Sequence, residues 1–201
     1  MIVITNRRLC REDFLKRIEK IAQGNPQGII LREKDLSEAE FEILAIKCLE
    51  ICKRHEVPFG INKQVKIAEK LHVPWIHLSV SDFENLQTDS KNRFEKIGVS
   101  IHSVEEAAAM EQLGADYLIA GHIYPTNCKR GVPARGLSFL QKVCDTVSIP
   151  VFAIGGIYVE RVQEVLKNGA EGVCIMSEMM ECEKPKEQIE AFFGALMHKN
   201  D

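Results

Sequence analysis

Short apolar runs rich in β-branched residues alternate with longer stretches of helical periodicity along the whole chain. The runs are Ile2–Thr5, Gly28–Arg32, Pro58–Ile61, Trp75–Leu78, Ile97–Ile101, Tyr117–Gly121, Val151–Ile154 and Gly172–Met176. Each is almost continuously hydrophobic, as expected of strands buried on both faces. Between them lie amphipathic patterns. Glu38 to His55 carries Phe41, Leu44, Ala45, Cys48, Leu49 and Cys52 at helical spacing, and Ser37 with Glu40 forms a capping box ahead of it. Ser103 with Glu106 repeats the device, and Gly114 closes the helix that follows. Gly169 closes a further helix that starts near Glu160. The weakest helical pattern runs from Asp82 to Glu95.

Eight strand–helix repeats imply a parallel sheet, and eight parallel strands can close on themselves and remove both edges. The predicted fold is α/β, a single (β/α)₈ TIM barrel spanning 1–201, with an open doubly wound sheet as the structural alternative. At 201 residues the chain is short for this barrel, which usually has about 250. Tight connections and at least one reduced helix are therefore expected.

Composition narrows the range of partners. Hydrophobic residues make up 45% of the chain, an ordinary globular share. The formal net charge of −3 argues against nucleic acid, which selects basic surfaces. No stretch approaches the roughly 18 apolar residues of a membrane span. The apolar run at Ile2–Thr5 is too short for a signal peptide, and Arg7, Arg8 and Arg11 follow it rather than precede it. The seven cysteines are odd in number and scattered, which suits reduced thiols and a cytoplasmic location. Cys48 and Cys52 lie one helical turn apart without a second pair to complete a zinc site, so helix packing is the expected role and no metal is assigned.

In this fold, chemistry gathers in the loops at the carboxyl ends of the strands. The residues expected there include Arg32, Glu33 and Lys34, then Asn62 and Lys63, then Ser100 and His102. His122 follows the sixth strand, Gly155 and Gly156 the seventh, and Met176 and Ser177 the eighth. Glycines let an anion approach backbone N–H groups closely, and the last two loops of this barrel commonly hold phosphate. Gly155, Gly156, Met176 and Ser177 are therefore the candidate phosphate site, although two glycines also suit a tight turn. The connection from Tyr124 to Gly136 is long and carries Thr126, Lys129, Arg130 and Arg135, as a lid over an anion would. A histidine can give and take protons near neutral pH, so His122 is a candidate acid/base, and a hydrogen-bonded structural histidine is its competing role.

These stretches resemble the thiamine phosphate synthase superfamily over nearly the whole chain. The resemblance rests on Leu31 to Lys34, Ile97 to Ser100, Gly114 to Tyr117, Gly121 to Lys129, and Ala153 to Ile157. It implies the (β/α)₈ barrel, a small phosphorylated thiazole substrate and a homodimer; the lack of a long apolar run is what argues against a membrane partner. Within the superfamily three positions look more like the TenI-type thiazole tautomerase branch. His122 stands where the synthases usually carry proline, Ile30 where they begin a motif with glutamine, and Lys63 where they place a magnesium carboxylate. Asp82 matches their second carboxylate, but Ser79, Val80 and Ser81 replace the glycine-glutamine-glutamate pattern before it. The tautomerase likeness implies an isomerase without cofactor, with His122 as catalytic acid/base. Arg32, Lys34, Asn62, Ser100, Thr126 and Lys129 would then contact the substrate. Two alternatives are a magnesium-dependent thiamine phosphate synthase, joining a pyrimidine pyrophosphate to a thiazole phosphate, and a non-catalytic regulator that binds a thiazole phosphate.

Overall fold

The computed structural model describes residues 1–197. Eight strands, β1 (Ile2–Ile4), β2 (Gly28–Leu31), β3 (Phe59–Asn62), β4 (Trp75–Ser79), β5 (Lys96–Ile101), β6 (Tyr117–Gly121), β7 (Val151–Ile154) and β8 (Gly172–Ile175), form a closed barrel in sequence order. All pairings are parallel, and β1 closes the ring against β8 with Ile2 opposite Cys174. The (β/α)₈ expectation is met, and the open sheet is excluded by that last pairing. No helix among the described residues is long and apolar enough to cross a membrane.

Strand alternation divides the core into two layers. Ile2, Ile4, Ile30, Trp75, Tyr117, Ile119, Phe152 and Cys174 fill the inside of the barrel. Their neighbours Val3, Ile29, Leu31, Ile76, Leu118, Ala153 and Val173 point outward and are buried beneath the helices. Because both faces are covered, the strands read as unbroken apolar runs.

The largest interior side chains fit only because neighbouring strands carry glycine. A Cβ on Gly98 would lie 1.9 Å from the Tyr117 ring, and one on Gly60 would lie 2.8 Å from the Trp75 indole.

The predicted capping box is present: the Ser37 hydroxyl accepts from the Glu40 N–H, and the Glu40 carboxylate accepts from the Ser37 N–H at 2.9 Å, opening the helix Glu38–Arg54. Ser103 caps Val104–Gln112 by accepting the Glu106 N–H at 3.0 Å, but Glu106 reaches back to the N–H of His102 rather than that of Ser103. Strand ends differ from expectation by one residue. Thr5, Arg32 and Met176 fall just beyond β1, β2 and β8, whereas Asn62, Ser79 and Lys96 join β3, β4 and β5. The stretch from Asp82 to Glu95 is not one helix. It is Val80–Glu84 followed by Thr88–Lys91, the reduced connection that a short barrel requires. The helix expected from Glu160 divides into a 3-10 turn, Val159–Arg161, and the helix Val162–Lys167, and Gly169 follows at φ +91°.

Cys48 and Cys52 are buried in the helix Glu38–Arg54 as packing residues, and burial pushes the Cys52 thiol up to about 12. Among the described residues there is no group of three or more His, Cys, Asp or Glu arranged to hold a metal ion.

Candidate active site

The first sector of the mouth is assembled from β1 and β2. Thr5 is fully buried just past the end of β1, and its hydroxyl donates to a Glu33 carboxylate oxygen at 2.7 Å. The same hydroxyl oxygen accepts the N–H of Arg32 at 2.9 Å. Glu33 also receives the N–H of Arg7 at 3.0 Å on each oxygen. Burial raises the Glu33 carboxyl above its ordinary range, against the hydrogen bonds from Thr5 and Arg7 that favour the anion. This clamp fixes the backbone that carries Arg32 and Lys34. Arg32 is half-buried, and no carboxylate lies within salt-bridge distance of its guanidinium among the described residues. Lys34 is exposed and loses proton affinity, first to the charge of Arg32, then to partial burial, then to the charges of Lys63 and Lys129. The charges of Arg32, Lys63 and Lys129 all bear on Lys34, which groups these four cations, drawn from the loops after β2, β3 and β6, on one part of the mouth.

A second sector lies after β7 and β8, which are adjacent and in register. Gly155 and Gly156 have φ of +102° and +64°, a region that suits glycine. A Cβ on Gly155 would fall 2.3 Å from the Cβ of His122, and one on Gly156 would fall 2.6 Å from the Pro125 carbonyl. The turn is locked by Arg161, whose guanidinium donates to the Gly156 carbonyl and lies 4.4 Å from the centre of the Tyr124 ring. The N–H groups of Gly155, Gly156, Met176 and Ser177 have no acceptor within the protein among the described residues. Unpaired backbone donors on neighbouring loops are what an oxyanion requires.

Between the two sectors, a hydrogen-bonded chain runs up the barrel interior. The Trp75 indole N–H donates to the Tyr117 hydroxyl at 2.8 Å. Tyr117 lies 3.0 Å from His77 Nδ1, and His77 Nε2 lies 2.8 Å from the Ser100 hydroxyl. Burial, with a smaller contribution from Arg32, pushes His77 down to about 3, so its ring is neutral. Burial also pushes the Tyr117 phenol well above its ordinary value, so it keeps its proton. With Trp75 supplying a donor, the assignment that leaves no group idle has Tyr117 donating to Nδ1 and Nε2–H donating to Ser100. The Ser100 hydroxyl hydrogen then remains free for a ligand.

His122 is not placed as a free acid/base. It is buried, and its Nε2 sits 3.2 Å from the Val132 carbonyl. A carbonyl only accepts, so that nitrogen carries hydrogen. The His122 backbone carbonyl accepts from Arg135 at 2.9 Å, so both its backbone and its ring hold the 124–136 loop. Within that loop Thr126 caps the turn Asn127–Lys129, which leaves Lys129 exposed.

The Asn62 amide donates to the His77 carbonyl at 3.0 Å, which ties β3 to β4 beneath Lys63. Lys63 Nζ lies 2.7 Å from an Asp82 carboxylate oxygen that also accepts from Ser79. Burial disfavours the Asp82 anion, but the Lys63 and Ser79 hydrogen bonds and the Lys63 charge outweigh it and hold the carboxyl below its ordinary range. One carboxylate that already carries an ammonium and a hydroxyl donor is a poor ligand set for a divalent cation, which seeks several free oxygens. The residues present do not fit a magnesium site.

Sequence reasoning named Arg32, Lys34 and Lys129 among six substrate contacts and Gly155, Gly156, Met176 and Ser177 as the phosphate site. It assigned no role to Thr5, Glu33 and Arg161, whose partners are remote in sequence and leave no local signal. The coupling of His77 to Ser100 was likewise hidden, although both lie on segments already read as strands.

Fold and mouth together define a class: a (β/α)₈ barrel whose mouth offers cations on one side and a glycine-lined turn with unpaired N–H groups on the other. The sequence model described as thiamine monophosphate synthase matches residues 1–179, and this chain belongs to that family. It is therefore an enzyme. It is 36% identical over 193 residues, 93% of each chain, to a thiamine-phosphate synthase of Fusobacterium nucleatum. It is 33% identical to a thiamine-phosphate synthase of Clostridium acetobutylicum, covering 100% of this chain and 95% of that one. Among solved structures, a thiamine phosphate pyrophosphorylase from Pyrococcus furiosus superposes with a TM-score of 0.84 at 28% identity, covering 98% of this chain and 95% of that one.

These relatives overturn the tautomerase expectation. End-to-end similarity to synthases outweighs three positions that looked like the other branch. The roles of isomerase, of His122 as its acid/base and of cofactor-free aromatisation fall with it.

Proposed function

We propose that this chain is a thiamine phosphate synthase, a transferase that joins a pyrimidine pyrophosphate to a thiazole phosphate and releases pyrophosphate. The observation that carries the reading is the presence of two separate anion-suited sectors on one barrel mouth, in a chain similar over its length to synthases. A transferase acting on two phosphorylated substrates needs two such places.

In this reading Gly155, Gly156, Met176 and Ser177 hold the thiazole phosphate through backbone N–H groups. Arg32, Lys34 and Lys129 hold the pyrophosphate. Its bond to the pyrimidine's carbon breaks, the electron pair leaves with the oxygen, and the thiazole nitrogen takes its place on that carbon. Negative charge grows on the leaving group, and cations already in position stabilise it without reorganising. Arg32 suits the task because its planar guanidinium donates two parallel hydrogen bonds. Ser100, supplied through His77, offers a hydroxyl donor between the two anions, with Asn62 and Thr126 positioning the neighbouring loops. His122 holds the basic loop. Homodimerisation, implied by the family likeness, and a cytoplasmic location, which the scattered cysteines suit, belong to the same reading.

The test is to incubate the protein with both substrates, with magnesium in one arm and a chelator in the other. Product is measured as thiamine phosphate by chromatography after conversion to a fluorescent derivative. Product in either arm is expected; none in both would overturn the reading.

A further inference from the structure

Lys63 stands out among the cations at the mouth. It has φ of +67°, a conformation that L-residues with long side chains rarely adopt. The backbone is held there from both sides: its N–H donates to the His77 carbonyl at 3.0 Å, and its carbonyl accepts from Val65 at 2.8 Å. The side chain is fixed as well, by Asp82 at 2.7 Å, and Asp82 is itself anchored by Ser79. An exposed lysine normally sweeps a wide volume; this one has its root and its tip both tethered. It also lies close enough to Lys34 to lower that residue's proton affinity, together with Arg32 and Lys129. The cluster thus contains four cations and one exposed carboxylate, Asp82, which Lys63 already neutralises in part, with the buried Glu33 behind Arg32.

We propose that Lys63 supplies the positive charge that a divalent cation would otherwise bring, so that a diphosphate group binds here without metal. The ligand class rests on the transferase reading; the charge arrangement does not. Arg32, Lys34, Lys63 and Lys129 outnumber the two carboxylates beside them, Asp82 and Glu33, and leave a net positive site for a diphosphate anion. A divalent cation entering at Asp82 would have to displace an ammonium already in contact and would gain a single carboxylate. When the anion arrives, the Lys63 ammonium can keep Asp82 on one side and donate to a phosphate oxygen on the other, because it has three hydrogens. No covalent step is involved.

The experiment is titration calorimetry of inorganic pyrophosphate into the full chain, in a chelator and again in excess magnesium. The variants are Lys63→Met, which removes the charge at similar length, and Lys63→Asp, which suits the left-handed backbone better. Circular dichroism checks that each is folded. Wild type is expected to bind pyrophosphate in chelator, and Lys63→Met to bind it at least tenfold more weakly there. Manganese electron paramagnetic resonance supplies a second readout. Wild type with pyrophosphate should hold no manganese beyond what free pyrophosphate binds, whereas Lys63→Asp, with two carboxylates, should retain it.

Binding by wild type only when metal is added, or manganese retained by wild type with pyrophosphate, would overturn the inference. So would an unchanged affinity in folded Lys63→Met. Metal-free pyrophosphate binding without thiamine phosphate formation would sink the synthase reading and leave this inference standing. Product formation with metal-dependent binding would do the reverse.

Discussion

The Thr5 hydroxyl joins two strands with a single oxygen, donating to Glu33 at 2.7 Å and accepting the N–H of Arg32 at 2.9 Å. Both contacts lie next to the residue proposed to meet the leaving pyrophosphate. Thr5→Val keeps the shape and removes the hydroxyl, leaving a buried carboxylate oxygen and a backbone donor without that partner. The expected cost is about 1–3 kcal/mol, with weaker pyrophosphate binding as Arg32 loses its fixed root. Urea unfolding and calorimetric titration of pyrophosphate check the two effects separately.

At the other sector, Gly155→Ala places a Cβ against His122 in a backbone conformation at φ +102°. Strain of that kind costs about 1–3 kcal/mol before the clash is counted. The variant should melt at a lower temperature and lose affinity for a thiazole phosphate more than for pyrophosphate. Equal loss for both ligands would mean that the two anions are not divided between the sectors as proposed.

His77 makes stability depend on pH. Its folded value of about 3 lies below the 6.5 of an unperturbed histidine, so between the two the unfolded chain binds a proton that the folded chain does not. The His77 contribution is therefore fully present above about pH 6.5 and is lost as pH falls toward 3. The slope is about 1 kcal/mol per pH unit. Urea midpoints at pH 6.5, 5.5 and 4.5 should fall more steeply for wild type than for His77→Gln, which has no such proton to take up.

His122 is expected to act through the loop it holds. His122→Phe keeps a ring but cannot donate to the Val132 carbonyl. Hydrogen exchange should quicken across 124–136, and KM for the pyrophosphate substrate should rise several-fold with a smaller change in kcat. A loss confined to kcat by a factor of about 100 or more would restore a proton-transfer role to this ring.

Most of the barrel was legible because its strands are buried on both faces. Val3, Ile29 and Val173 face the helices while Ile2, Ile30 and Cys174 face inward, and every one of them is apolar. The misread stretch, Asp82 to Glu95, has few apolar positions to impose a period. At the mouth, Gly155 and Gly156 announce themselves because the conformation they adopt suits little else. The links between Thr5 and Glu33, and between His77 and Ser100, do not, because each joins strands more than twenty residues apart in sequence. The tautomerase expectation arose from reading His122, Ile30 and Lys63 as marks of a different reaction. In the structure His122 is a loop anchor, and Lys63 is a tethered charge within the same cationic cluster as Arg32.

The chain's single tryptophan sits at the lower end of that interior relay, with its indole N–H on Tyr117 and the Lys96 ammonium 4.8 Å from its ring centre. Nature has therefore placed one fluorophore inside the barrel, wired by three hydrogen bonds to the Ser100 hydroxyl at the mouth. Its emission gives an optical signal, free of labels and of any competing indole, through which ligand arrival above and barrel opening around it can both be followed in real time.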